Sequence, residues 1–204
     1  DGDREFAEPF WVAGERRFVQ CDEQRLLAIA TDAEGDCLVY VPIDGRGPSK
    51  ALARMPMMLQ LSVDGAVGLL AASGATSPVG IYSWDEETGF QKRLGPVTDV
   101  PTNQISVGEP IFCPARDGAR IHSWFYPPTH AEYQLGPGEA PPLVVKVHGG
   151  PTAAARKGFQ AEVQFWTNRG FGFADINYRG STGFGRRYRQ SLLGRWGDLD
   201  IDDV

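Results

Sequence analysis

Cysteine is scarce in this chain. There are three in 204 residues, and none belongs to a Cys-x-x-Cys pair, so neither a zinc site nor a disulfide framework is expected. Cys21, Cys37 and Cys113 lie far apart and read as small buried hydrophobes of a reducing compartment, which makes a cytoplasmic location the expectation. No run of about 18 apolar residues exists, so no membrane-spanning helix is expected. The acidic, polar start from Asp1 to Glu8 has no apolar segment of the signal-peptide kind. Basic clusters are also missing. The formal charge of −6 and the pI near 5.1 argue against a nucleic-acid partner. Arg186, Arg187 and Arg189 form a short local group that reads as a solvated helix face. The chain contains no Gly-x-x-x-x-Gly-Lys-Ser/Thr and no Gly-x-Gly-x-x-Gly, so no nucleotide cofactor is called for.

Glycine (25) and proline (15) are abundant, which implies many turns and much β structure. From the N-terminus to about residue 95 the chain reads as short strands joined by turns. Candidate strands are Trp11–Val19, Leu26–Thr31, Cys37–Ile43, Met57–Val63, Ala66–Ser73, Val79–Trp84 and Phe90–Leu94, with Asp64-Gly65 as a strong hairpin signal. This region also matches itself. DEQRLLA from Asp22 lies over DGAVGLLA from Asp64, and CLVYVPIDGRGPSKAL lies over VGIYSWDEETGFQKRL. A period of roughly 40–50 residues with four short strands per unit is the mark of a β-propeller blade. A β-sandwich of similar strands is the alternative.

Residues 96–104, PVTDVPTNQ, have little apolar pattern and two prolines, as a linker would. Ile105–Cys113 and Arg120–Tyr126 read as a hairpin opening a second domain over 105–204. The loop from Pro127 to Pro142 holds His130, which has no obvious chemical partner. From Leu143 the pattern changes. LVVKV is expected to be an inner strand of a parallel sheet covered on both faces. Phe159–Arg169 reads as a helix stopped by Gly170, Phe171–Ile176 as a strand, Phe184–Leu193 as a helix, and Asp198–Val204 as an acidic helix start. Strand, helix, strand, helix is a doubly wound α/β pattern.

HGGP, from His148 to Pro151, leaves the carboxyl end of that first strand, where open α/β sheets place ligands. Acyl transfer builds negative charge on a carbonyl oxygen, and fixed N–H donors stabilise it. Gly149 and Gly150 permit the backbone angles that turn an amide outward, and Gly150 is the candidate donor. His148 either donates from its ring or shapes the turn. Arg179, in NYRGSTGFG, is expected to lock its loop through hydrogen bonds.

The order HGGP, F-W-x-x-R-G-F, NYRGSTGFG, WGDLDIDD resembles the prolyl oligopeptidase family of serine peptidases, nearest its acylaminoacyl-peptidase and dipeptidyl-aminopeptidase branch. The resemblance is strongest from Leu143 to Val204. It implies the last blades of a β-propeller (1–95), a linker (96–104) and the N-terminal part of an α/β-hydrolase domain (105–204). It also implies a peptide substrate and a Ser-Asp-His triad, none of which can be placed on these residues. The chain is therefore expected to carry the oxyanion loop without the nucleophile and to be inactive alone. A carboxylesterase of the same fold and a non-catalytic propeller binding module are the other readings.

Overall fold

A computed structural model describes residues 4–7, 14–64, 67–150 and 152–204. Contacts divide the chain into two compact units. One comprises Asp1–Gly74, Pro78–Val97 and Gly183–Arg186; the other comprises Ala75–Ser77, Thr98–Thr182 and Arg187–Val204. The main boundary, Val97/Thr98, falls inside residues 96–104.

The first unit holds two four-stranded antiparallel meanders. In one, β1 (Phe18–Gln20), β2 (Arg25–Asp32), β3 (Gly35–Pro42) and β4 (Lys50–Met55) follow each other in space as in sequence. In the other, β5 (Met57–Asp64), β6 (Val67–Ser73), β7 (Gly80–Asp85) and β8 (Gly89–Leu94) do the same. The self-matching segments thus fall on equivalent strands, β2 on β6 and β3 on β7. Turn chemistry repeats as well. Asp32 accepts the Glu34 N–H before Gly35, and Asp85 accepts the N–H groups of Glu87 and Thr88 before Gly89. Apolar side chains from both meanders, including Ile29, Leu38, Met58 and Leu70, make one core. Beside it lies a buried ion pair, Arg17 with Asp36 at 3.4 Å. Arg17 also donates to Met58 O, and Asp36 accepts the Met58 N–H, so the pair ties the start of β5 to β3. β4 was not foreseen: its residues alternate weakly, and none of them is buried. Trp11–Val19 shortens to β1, and its residues 11–13, like the Gly65-Ala66 turn, lie outside the described residues.

The second unit is built on one mixed sheet in the order β11-β12-β10-β9. β9 (Glu109–Pro114) and β10 (Arg120–Tyr126) form the expected hairpin. Ile105 and Ser106 do not join it, because the buried Gln164 side chain satisfies both Ser106 backbone groups, at 2.8 and 3.0 Å. Cys113, on this outer hairpin, is exposed and not buried as expected; Cys37 is buried and Cys21 half-buried. β11 (Leu143–Val147) runs parallel to β12 (Gly172–Asn177). The neighbours expected on both sides of it are not both within the described residues. Among the described residues it pairs on one side only, and Leu143, Val145 and Val147 stay exposed on one face. The fully buried strand is β12, flanked by β11 and β10.

The helices are shorter than their sequence patterns. α1 (Ala161–Thr167) starts late because Gln160 is extended, and it ends in a turn with Gly170 at φ +85°. α2 (Gly185–Gln190) and α3 (Leu199–Asp202) follow. Asp198 does not cap α3 with its side chain; it pairs with Arg195 at 2.6 Å instead. No helix of the described residues is long and apolar enough to cross a membrane.

The middle of β12 carries a carboxyl. Asp175 is 3% exposed, and its Oδ1 has no hydrogen-bond partner among the described residues. Burial pushes its pKa up to about 6, with Lys146 and Gln160 opposing and Glu162 adding to the rise. The folded state therefore holds a proton that the unfolded chain releases near pH 4. Stability should fall as pH rises from about 4 to 6, by roughly 3 kcal/mol at about 1.4 kcal/mol per unit. Asp175→Asn should remove this slope and be the more stable form at pH 7. Urea unfolding at pH 4, 5, 6 and 7 checks this, and a stability gap between Asn and Asp that does not change with pH would refute it.

Candidate active-site loop

Because β11 and β12 are parallel, the segments that follow them leave the same end of the sheet. His148, Gly149 and Gly150 follow β11, and Tyr178 to Gly183 follow β12. Tyr178 joins the two. Its ring stacks on His148 at 4.5 Å between centroids and 18° between planes. Its hydroxyl donates to Gly150 O at 2.8 Å, with His148 O at 3.2 Å.

Ser181 adds a second tie. Its hydroxyl donates to Tyr178 O at 2.6 Å and lies 2.7 Å from His148 Nε2. A serine has one proton to give, so Nε2 must be the donor in the second contact. The contact from Nδ1 to Gly149 O is long, 3.5 Å. Burial holds the imidazole below its usual pKa, against weaker help for the charged form from Gly149 and Gly150. His148 is thus a neutral Nε2–H tautomer whose N–H is already engaged. Its ring shapes the turn.

Gly150 has φ +63°, a conformation L side chains rarely adopt, with open space where a Cβ would stand. It is exposed, and its N–H makes no hydrogen bond among the described residues. Beyond the loop, the chain is fastened again. Ala155 N–H donates to Asn177 Oδ1 at 2.7 Å, and Thr182 N–H donates to Ala153 O at 3.0 Å.

The loop after β12 is fixed from below by Arg179. Its Nε and Nη2 grip the Asp203 carboxylate, its own backbone N–H donates to Asp203 Oδ2 at 2.8 Å, and Nη1 binds Asp117. The Asp203 side chain is fully buried. Arg179 holds the Asp117 carboxyl below its ordinary pKa. The loop-locking role expected for Arg179 is what these contacts do. Tyr188 donates to Asn177 O and accepts the Gly180 N–H, closing the turn at Gly180, where a Cβ would meet Leu192 at 2.6 Å.

Sequence reasoning named His148, Gly150 and Arg179 and missed Tyr178, Ser181, Asn177 and Asp203. A signal for the first existed: an aromatic one residue past a buried strand, parallel to the strand that carries HGG, is placed to cover that loop. Among the described residues, no cluster of three or more His, Cys, Asp or Glu could hold a metal ion.

Residues 157–204 match the prolyl oligopeptidase family. Over that stretch the chain carries the family's sequence pattern. It is similar to dipeptidyl aminopeptidase BIII of Pseudoxanthomonas mexicana, 31% identical over 146 residues, 70% of this chain and 21% of the relative. It is also similar to the uncharacterized peptidase YuxL of Bacillus subtilis, 28% identical over 190 residues, 90% of this chain and 28% of the relative. In fold it is similar to a puromycin-hydrolyzing peptidase of Mycobacterium tuberculosis, with a TM-score of 0.88 at 29% identity, covering 100% of this chain and 32% of that one. The chain therefore spans about a fifth to a third of the length of these proteins.

Two outcomes follow from the geometry. At pH 7, ¹⁵N spectra should show His148 as the neutral Nε2–H tautomer, and its titration should lie below that of a free imidazole. The unfolded chain then binds the extra proton, so this residue's contribution weakens as pH falls through the ordinary histidine range. An Nδ1–H or charged ring at pH 7 would contradict the assignment. Arg179→Met, which strands a buried carboxylate, should cost about 3–5 kcal/mol in unfolding free energy. Arg179→Met with Asp203→Leu should recover much of it. A cost under about 1 kcal/mol for the single change would mean the pair is not what holds the loop.

Proposed function

We propose that this chain is part of a serine peptidase that removes short pieces from the N-termini of peptides through an acyl-enzyme. It contributes the oxyanion loop, and the Ser, Asp and His of the triad come from outside these residues. The observation that carries this reading is Gly150: an unengaged backbone amide, in a conformation suited to glycine, tethered by Tyr178 at the carboxyl end of a parallel strand. His148 acts as a positioning residue, since its ring N–H is taken by Ser181. In this reading β1–β8 are the last blades of a β-propeller over 1–95, residues 96–104 are a linker, and β9–β12 begin an α/β-hydrolase sheet over 105–204. Similarity to proteins named dipeptidyl aminopeptidase and acylamino-acid-releasing enzyme supports exopeptidase chemistry over ester hydrolysis.

A donor aimed at the developing oxyanion is worth about 100- to 1,000-fold in kcat. In the protein that joins this chain to its triad, Gly150→Pro removes the N–H and also forces φ from +63° to the negative range. It should lower kcat on aminoacyl anilides by about 100-fold or more. Gly150→Ala keeps the N–H and should lose less than about tenfold. Unchanged kcat in a folded Gly150→Pro protein would remove Gly150 from the site. The chain alone should not react with a fluorophosphonate probe, and covalent labelling would show that it has a nucleophile of its own.

A further inference from the structure

A cavity of about 630 Å³ opens in the second unit at the amino ends of β11 and β12, the opposite edge of the sheet from His148–Gly150. This is within the size range of small-molecule sites. One wall is the loop after β10, which contributes His130, Tyr133, Gln134 and Leu135; the other is the turn that closes α1, with Asn168 and Arg169. The turn is firmly held. Asn168 Nδ2 donates to Gln104 O at 2.6 Å and to Thr129 O at 2.9 Å, and Thr129 N–H donates to Thr167 O at 3.1 Å.

The lining has a definite chemical character. His130 and Tyr133 lie against each other, with ring centroids 4.7 Å apart, and present aromatic surface next to Leu135. The Glu132 N–H donates to His130 Nδ1 at 3.1 Å, which leaves the proton of the neutral ring on Nε2, where it is a donor. Arg169 is braced by a bond to Phe165 O at 2.8 Å and by its position 3.8 Å over the Phe165 ring, so its charge is held in one place. In a chain of formal charge −6, none of the ten lining residues is acidic. One fixed cation on one wall, with an imidazole N–H and flat apolar surface on the other, calls for an anion attached to a planar apolar body.

We propose that this cavity binds a small carboxylate with an aromatic body, the carboxylate meeting Arg169 and His130 Nε2–H and the ring lying against Tyr133 and Leu135. The cavity is at the far end of the sheet from the glycine loop, so its occupancy does not depend on the acyl-transfer reading.

Calorimetric titration with 3-phenylpropionate and with its uncharged amide tests this. The acid should bind with a Kd below about 10 mM, and at least about fivefold more tightly than the amide. Arg169 and Tyr133 are both exposed, so substituting them should leave the fold standing. Arg169→Gln should erase the difference between acid and amide, and Tyr133→Ala should weaken both by about threefold or more. No binding of the acid up to about 10 mM would overturn the proposal. So would an acid preference that survives Arg169→Gln.

Discussion

The grip of Arg179 on Asp203 is the constraint on which the rest of the second unit's chemistry depends. It joins residues 24 positions apart, takes three N–H groups of one residue to one buried carboxylate, and anchors α3 beneath the loop after β12. A buried pair of this kind is not a cheap source of stability, because both charges leave water. Its value is geometric. The planar fork fixes the direction of Arg179, the backbone N–H fixes its peptide, and Tyr178 and Ser181 on either side inherit that position. Those two residues then hold His148 and Gly150.

Support therefore passes upward in layers, each a different interaction. Charge holds the loop after β12; a hydroxyl and a stacked ring hold the loop after β11; backbone bonds from Ala155 and Thr182 fasten the continuation of the chain. Gly149 and Gly150 themselves have no side chains to pack. A segment of this kind gets its order from neighbours and keeps its backbone N–H groups available, which is the arrangement expected of preorganised donors.

Much of this was legible in the sequence. The meanders were readable because Asp and Gly recur at the turns and the apolar residues alternate between them. The β11 and β12 strands were readable as apolar runs, and Gly150 by its place after the first. Helix ends were overestimated because Gln160 carries no local signal for its extended backbone, and past Gln190 the chain goes on in tight turns, with Leu193 N–H on Gln190 O and Arg195 N–H on Leu192 O. Asp203 looked like a carboxylate for a helix N-terminus; only the fold reveals a guanidinium waiting for it. Ser106 and Gln164 are 58 positions apart, and no local pattern announces that a side-chain amide will replace a strand partner.

One detail of the glycine loop reaches further. A trans peptide places its oxygen and its hydrogen on opposite edges, and no described peptide here is cis. Once the Tyr178 phenol draws the His148 carbonyl toward itself, the amide hydrogen of Gly149 has to face the other way. The direction of that one N–H is thus tied to a phenol that sits beneath the loop.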